Sequence, residues 1–321
     1  MINRNLDGSD ITFEQDGKLQ FNEEAHRYSL NGVEFRSVSN VVGMFFREFD
    51  AMGISLKKCK SSEEEQLNLM YSAARLLKES MLLGFLENQS DEKKILATLD
   101  LCKLSVAIDL LNSTKLFQAA RLREEWESKG AIASQAGTFV HKQIEDYLNG
   151  KQTPDLLCDV SYNGKYVKVN ETVDISREWS YFKSFERNTP FQPFRTEWRV
   201  YDADARIAGT LDFVCCCPDG TYEIYDWKRS NKIDPTERNP WANGLNGLEH
   251  LTDTSYSHYC LQQNLYRYMI EKNYGIKISR MNLVVLHPDL PTYRVVHIPP
   301  MDKELSIIIG YINRISVCHQ K

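Results

Sequence analysis

The sequence predicts a chain of mixed α and β class, and three features lead there. Short segments that alternate apolar and polar residues, among them Phe194–Tyr201, Gly209–Cys217 and Thr221–Lys228, read as strands. Longer stretches with apolar residues every three or four positions, such as Gly137–Gly150 and Tyr256–Tyr274, read as helices. Two glycine turns, Asn31-Gly32 and Pro218-Asp219-Gly220, sit between strand-like segments and mark hairpins.

The 321 residues are 42% hydrophobic, ample for a buried core. From the N-terminus, short strands run from about Phe21 to Ser39, with Asn31-Gly32 joining two of them. From Val41 to about Lys129 the pattern is helical, rich in leucine and charge, with no glycine-rich linker to separate it. This predicts residues 1–40 joining the core, 41–125 as a helical insertion or subdomain, and 126–321 as the core itself. In Gly137–Gly150, Val140, Ile144 and Leu148 make an apolar stripe, and Asn149-Gly150 supplies the stop. A helix over Ile175–Arg187 precedes the three strands. Residues 229–253 form a polar loop with Pro235, Pro240, Gly244 and Gly247, long enough to suggest a functional or mobile role. Strands over Met281–His287 and Tyr293–Ile298 and a helix over Lys303–Ile315 complete the chain.

Composition narrows function by exclusion. The net charge is −5, which argues against a nonspecific coat protein for duplex nucleic acid but leaves room for a local groove. No apolar run is long enough to span a bilayer. Met1–Gly17 carries Asp7, Asp10, Glu14 and Asp16, unlike a targeting peptide, so a cytoplasmic location is expected. The eight cysteines include no Cys-x-x-Cys pair, and Cys215–Cys217 reads as strand core, so neither structural zinc nor an iron–sulfur cluster is expected.

The second hairpin carries the chemistry. Proline at the second position of a type I turn and glycine at the left-handed residue define a three-residue loop closed by a bulge. That loop pairs Cys217 with Thr221, and counting back along both strands sets Asp212 opposite Asp226. Paired residues share a face, and Lys228, two positions beyond Asp226, shares it too. Leu211, Phe213, Tyr225 and Trp227 fall on the opposite face. Facing aspartates repel unless one is protonated or a cation sits between them. A hard divalent cation answers that need, and the lysine suits a site that handles phosphate. The alternative is a structural ion-pair cluster. On the Gly137–Gly150 helix, His141 and Glu145 lie four apart on one face, where imidazole and carboxylate can join a metal site.

At this point the sequence resembles the RecB-like branch of the PD-(D/E)XK nuclease superfamily. Gly137-Thr138-Phe139-Val140-His141-Lys142-Gln143-Ile144-Glu145 is similar to its GTxxHxxxE helix, and Gly209-Thr210-Leu211-Asp212 to the strand of its first aspartate. Asp226-Trp227-Lys228 is similar to its (D/E)xK strand, and Gln262-Gln263-Asn264-Leu265-Tyr266 to its QxxxY helix. The resemblance runs from about Trp126 to Tyr266, and Leu211 replaces the proline of the superfamily name.

The resemblance implies a restriction-endonuclease-like core, a central mixed sheet flanked by helices, and phosphodiester hydrolysis dependent on one or two Mg²⁺ or Mn²⁺ ions. It assigns metal binding to His141, Asp212, Asp226 and the main-chain carbonyl of Trp227. It assigns Lys228 to the attacking water and the phosphate charge, with Glu145 in support. Glu197 either binds a second ion or pairs with Arg199. Thr138, Arg229, Ser230, Gln262 and Tyr266 are expected to contact nucleic acid. The expected substrate is DNA, single-stranded or at duplex ends, cut by an exonuclease or single-strand-processing enzyme of replication, repair or recombination, with a helicase or recombinase as a possible partner. An RNA substrate and a catalytically silent binding subunit are the alternatives.

Overall fold

A computed structural model describes residues 5–23, 25–59, 63–84, 104–239 and 241–318. The strands are β1 (Gln20–Asn22), β2 (Arg27–Leu30), β3 (Val33–Ser37), β4 (Leu157–Asn163), β5 (Lys168–Asp174), β6 (Gln192–Asp202), β7 (Ile207–Cys216), β8 (Tyr222–Lys228), β9 (Ile278–Val285) and β10 (Arg294–Ile298). The helices are α1 (Val38–Gly43), α2 (Ala51–Lys58), α3 (Glu63–Gly84), α4 (104–112), α5 (Lys115–Leu148), α6 (Ser176–Asn188), α7 (Ser255–Tyr274) and α8 (Asp302–Cys318).

The chain divides into two compact units. The first comprises Met1–Glu48, Ala133–Asp159 and Thr172–Lys321; the second comprises Phe49–Ile132 and Val160–Glu171. The described residues of the second form helices and parts of β4 and β5, strands that the sequence pattern did not predict. Within it, Glu124 at the side of α5 accepts the backbone N–H groups of Lys165, Tyr166 and Val167 at 3.0, 2.6 and 2.9 Å, fixing the β4–β5 turn.

The first unit is a mixed sheet. Its strands run β1-β2-β3-β7-β8-β9-β10, with β6 also paired to β7. The pairs β3·β7 and β8·β9 are parallel, whereas β6·β7, β7·β8 and β9·β10 are antiparallel. Helices cover both faces. Val38, Val41 and Val42 of α1, Leu261, Leu265 and Met269 of α7, and Ile308 and Ile312 of α8 pack with Val214, Ile224 and Leu283. On the other face, Val140 and Ile144 of α5 and Phe182 and Phe185 of α6 pack with Phe213, Tyr225 and Trp227.

Both hairpins follow their turn chemistry. Asn31 and Gly32 have φ of 50° and 79°, and Leu30 pairs with Val33. In the second, Cys217 N–H donates to Thr221 O at 2.8 Å and Gly220 takes φ 80°, so Phe213 pairs with Tyr225 in the expected register.

Three expectations are corrected. The helix carrying His141 begins at Lys115, not Gly137. The linking residues Gly130-Ala131-Ile132-Ala133-Ser134-Gln135-Ala136 are alanine-rich enough to carry the helix through two glycines, each costing about 1 kcal/mol. Leu211 packs with Val214 in the first core cluster rather than with Phe213 in the second. The segment 229–253 is a loop anchored to the core rather than a mobile one. Ile233 and Leu248 are fully buried, Asn243 and Thr252 form a β-bridge, and Leu245 N–H donates to Phe45 O at 2.8 Å.

Candidate metal centre

The position of Leu211 points to the site. Phe213 and Leu211 are two apart on β7 yet serve opposite core clusters, so strand alternation breaks at Asp212. On the neighbouring β6, Thr196 pairs with Phe213 and Trp198 with Leu211, which leaves Glu197 across from Asp212. Glu197 has φ 46°, a left-handed conformation that a non-glycine residue rarely adopts inside a strand. Such strain survives only where surrounding structure imposes it, and it collects at functional sites. Here it aims a carboxylate at Asp212.

The β7·β8 ladder ends at the same level. Beyond Phe213–Tyr225 the two strands part, and the Asp212 carboxylate replaces the missing ladder bond by accepting Trp227 N–H at 2.9 Å. Asp212 is thereby locked against β8. His141 Nδ1 of α5 approaches the same Asp212 Oδ2 at 3.4 Å. Ligand atoms of His141, Glu197 and Asp212 all lie within 4.8 Å of one another, all three half-buried, the only such group among the described residues.

Asp226 and Lys228 stand beside this trio as a buried ion pair, their side chains 5% and 15% exposed. Burial pushes Asp226 up to about 6, with Asp212 adding to the rise and Lys228 opposing it. For Lys228, burial disfavours the charge, but Asp226 and Asp212 outweigh it and hold the ammonium protonated well above its ordinary range. The ring of Tyr259 on α7 lies 4.7 Å from Lys228 Nζ, a cation–π contact that closes the lysine's other side. Glu197 is raised to about 9, first by burial, then by the negative charges of Asp212, Glu145 and Asp226. Glu145 is buried, with Oε2 taken by Lys142 at 3.1 Å and Oε1 without a hydrogen-bond partner.

The remaining candidates distribute unevenly. Tyr266 is 5% exposed, and a Cβ on Gly209 would lie 2.6 Å from its ring. Gly209 is therefore glycine because the tyrosine occupies its side-chain space, and Tyr266 packs beneath the Asp212 strand. Burial raises the Tyr266 phenol well above its usual range, so it stays neutral among the carboxylates. Gln262 keeps a buried Oε1 without a hydrogen-bond partner. Arg229 is committed to the fully buried Glu178 at 2.7 Å. Ser230 accepts a turn hydrogen bond from Lys232 N–H, and Thr138 is exposed on α5. The main chain of Trp227 enters the centre through its N–H, while its side chain is core. Arg199 lies over the Phe21 ring at 5.3 Å, and Glu197 is in the centre.

The sequence reading did not connect Tyr259 to Lys228. The signal was there: Tyr259 precedes Gln262 by three positions and Tyr266 by seven, the spacing of one helix face.

The residues fit a divalent cation. Two carboxylates and an imidazole converge in a half-buried space, the Glu197 carboxylate is pushed toward protonation for want of positive charge, and among the described residues the nearby Glu145 has a buried oxygen without a partner. This donor set, on a mixed sheet whose hairpin presents Asp-x-Lys, defines a metal-site hydrolase architecture. Residues 115–303 match the PD-(D/E)XK nuclease superfamily, and the chain belongs to it. A solved structure titled "Crystal structure of SSO0001" is similar over 83% of this chain and 84% of that one, at 11% identity and a TM-score of 0.24. None of the curated proteins matches.

Proposed function

We propose that this chain is a metal-dependent deoxyribonuclease that processes single strands or duplex ends during replication, repair or recombination. The observation that carries the reading is the convergence of His141, Glu197 and Asp212 beside the buried Asp226–Lys228 pair. His141, Asp212 and Glu197 would hold one Mg²⁺ or Mn²⁺, with Asp226 and Glu145 available to it or to a second ion.

A bound cation supplies Lewis-acid stabilisation of charge developing on the scissile phosphate. The chain's own groups do the rest. Lys228, kept protonated by its two aspartates, offers a fixed positive charge and a proton donor to the phosphate rather than a base. Asp226 and Tyr259 fix where that charge sits, so little reorganisation is needed at reaction. Glu197, held neutral by burial and its acidic neighbours, would release its proton to solvent on taking part in binding a cation. A helicase or recombinase could deliver the strand end.

The test is cleavage of end-labelled single-stranded DNA, duplex DNA and RNA with Mg²⁺, with Mn²⁺ and with chelator. Wild type is expected to cut DNA only with metal, and Asp226→Asn, compared per folded molecule, to lose about 10³-fold in rate. Cleavage of RNA alone would move the substrate, and metal-independent cleavage would sink the reading.

A further inference from the structure

Trp241 is the most exposed large hydrophobic residue among the described ones, at 91%, whereas Trp198 and Trp227 are fully buried. Its presentation is built, not loose. The Trp241 N–H donates to Asn239 Oδ1 at 3.0 Å, and Asn239 Nδ2 donates to Asp253 O at 3.0 Å. Asp253 N–H returns to Ala242 O at 3.0 Å, next to the Asn243–Thr252 bridge. Buried Leu248 ties the far end of the segment into the core. The ring thus projects from a pinned scaffold.

That scaffold connects to the metal centre by a short series of contacts. Asp253 Oδ1 meets His258 Nε2 at 2.7 Å, and the next residue, Tyr259, faces Lys228 at 4.7 Å. The segment starts at the end of β8, immediately after Lys228, and ends at the N-terminus of α7. Trp241 therefore stands on the segment that joins Lys228 to the helix carrying Tyr259.

A lone exposed indole is a poor protein-docking surface. Arg238, Asn243 and Asn246, near it in sequence, are exposed polar residues, so these described neighbours add no apolar surface to the ring. It suits a flat, single aromatic partner beside a phosphate chain. The Arg238 guanidinium lies across the Pro235 and Glu237 carbonyls at 3.4 and 2.9 Å, three residues before the indole.

We infer that Trp241 is a stacking platform for an unpaired base of a single-stranded nucleic acid whose backbone runs to the Asp212–Lys228 centre. This rests on the nuclease reading for the strand's destination. Only an unpaired strand offers a free base face, so the contact favours single strands over duplex. It makes Trp241 a positioning residue, acting on substrate hold and not on bond cleavage.

The experiment compares Trp241, Trp241→Phe and Trp241→Ala, each carrying Asp226→Asn to block turnover, in Mg²⁺. Binding of a labelled oligothymidylate and of a duplex with equal phosphate number is read by fluorescence anisotropy. Trp241→Ala is expected to weaken single-strand binding about ten- to a hundredfold, Trp241→Phe to retain most of it, and duplex binding to change less than about twofold. With Asp226 intact, Trp241→Ala should raise KM and leave kcat unchanged. Equal losses on both substrates, or unchanged binding in Trp241→Ala, overturn the inference. If Trp241→Ala loses single-strand binding while the chain with Asp226 intact cuts nothing, stacking stands and the nuclease reading falls. Cleavage with unchanged KM and unchanged binding gives the reverse.

Discussion

Two buried charge clusters lie side by side on β6, and they are resolved in opposite ways. Arg195 is 1% exposed, and Asp16 meets it with two oxygens at 2.7 and 2.8 Å. Asn5 Oδ1 accepts from it at 2.8 Å, and the rings of Phe13, Phe194 and Trp198 lie 5.0, 5.2 and 4.7 Å from the guanidinium. Every charge there has an opposite, and the result is a clasp that holds the N-terminal segment onto the sheet. Glu197, two residues along, faces Asp212, Glu145 and Asp226, with Lys228 already taken by Asp226 and Lys142 shared between Glu145 and Asp146. That cluster has more negative charge than the protein itself offsets. A closed cluster stabilises; an open one is a demand for a cation, and its cost in stability is what the function requires.

The largest effect separates the two clusters by what each loses. Arg195→Ala removes the buried guanidinium from Asp16, which keeps only neutral donors such as Phe13 N–H and Trp198 Nε1–H against its charge, and should destabilise the fold by about 3–5 kcal/mol. Denaturant unfolding would show the loss, and activity per folded molecule should stay at the wild-type level. If Arg195→Ala abolished cleavage in a fully folded protein, the clasp would belong to the site.

Adding the missing charge should do the opposite at the other cluster. At about a hundredfold excess over its dissociation constant, a divalent cation should stabilise wild type by about 2.7 kcal/mol. Asp212→Asn should abolish that gain, since Asp212 is common to the His141 and Glu197 contacts. A gain that survived in Asp212→Asn would place the cation elsewhere.

The smallest effect is the pH dependence of the metal-free protein. Glu197 rises from an ordinary 4.5 to about 9 on folding, and Asp226 from 3.8 to about 6. Between those limits the folded chain binds more protons than the unfolded one, so stability falls as pH rises. The contribution is full below about pH 4 and is lost through about pH 6 for Asp226 and about pH 9 for Glu197. Melting temperatures in chelator should decline across that window, and Glu197→Gln should flatten the upper part. An unchanged slope in Glu197→Gln would mean that another group carries it.

Legibility in the sequence followed the range of the forces. The β7–β8 register was readable because Pro218-Asp219-Gly220 sets it over a few bonds, and it holds as far as Phe213–Tyr225, one residue short of the two aspartates. The His141 helix was readable in its last turns but not in its start, because helix propensity does not reveal where two helical runs fuse. The β4–β5 hairpin escaped because its strands, with burial alternating in β4 but only weakly in β5, carry little apolar signal. Leu211 was placed on the wrong face because strict alternation takes no account of a left-handed Glu197 on the next strand.

By itself, then, the sequence determined the superfamily motifs, the helix-and-strand order of the core and the hairpin that carries Asp212, Asp226 and Lys228 on two adjoining strands, all products of local turn chemistry and periodicity. Only the tertiary structure decided that Glu197 rather than Asp226 joins His141 and Asp212 in the tightest group, that Tyr259 caps Lys228, and that Arg229 is spent on Glu178. Those outcomes depend on burial and on side chains far apart in sequence. Burial sets the cost of each charge, and no window of neighbouring residues contains it.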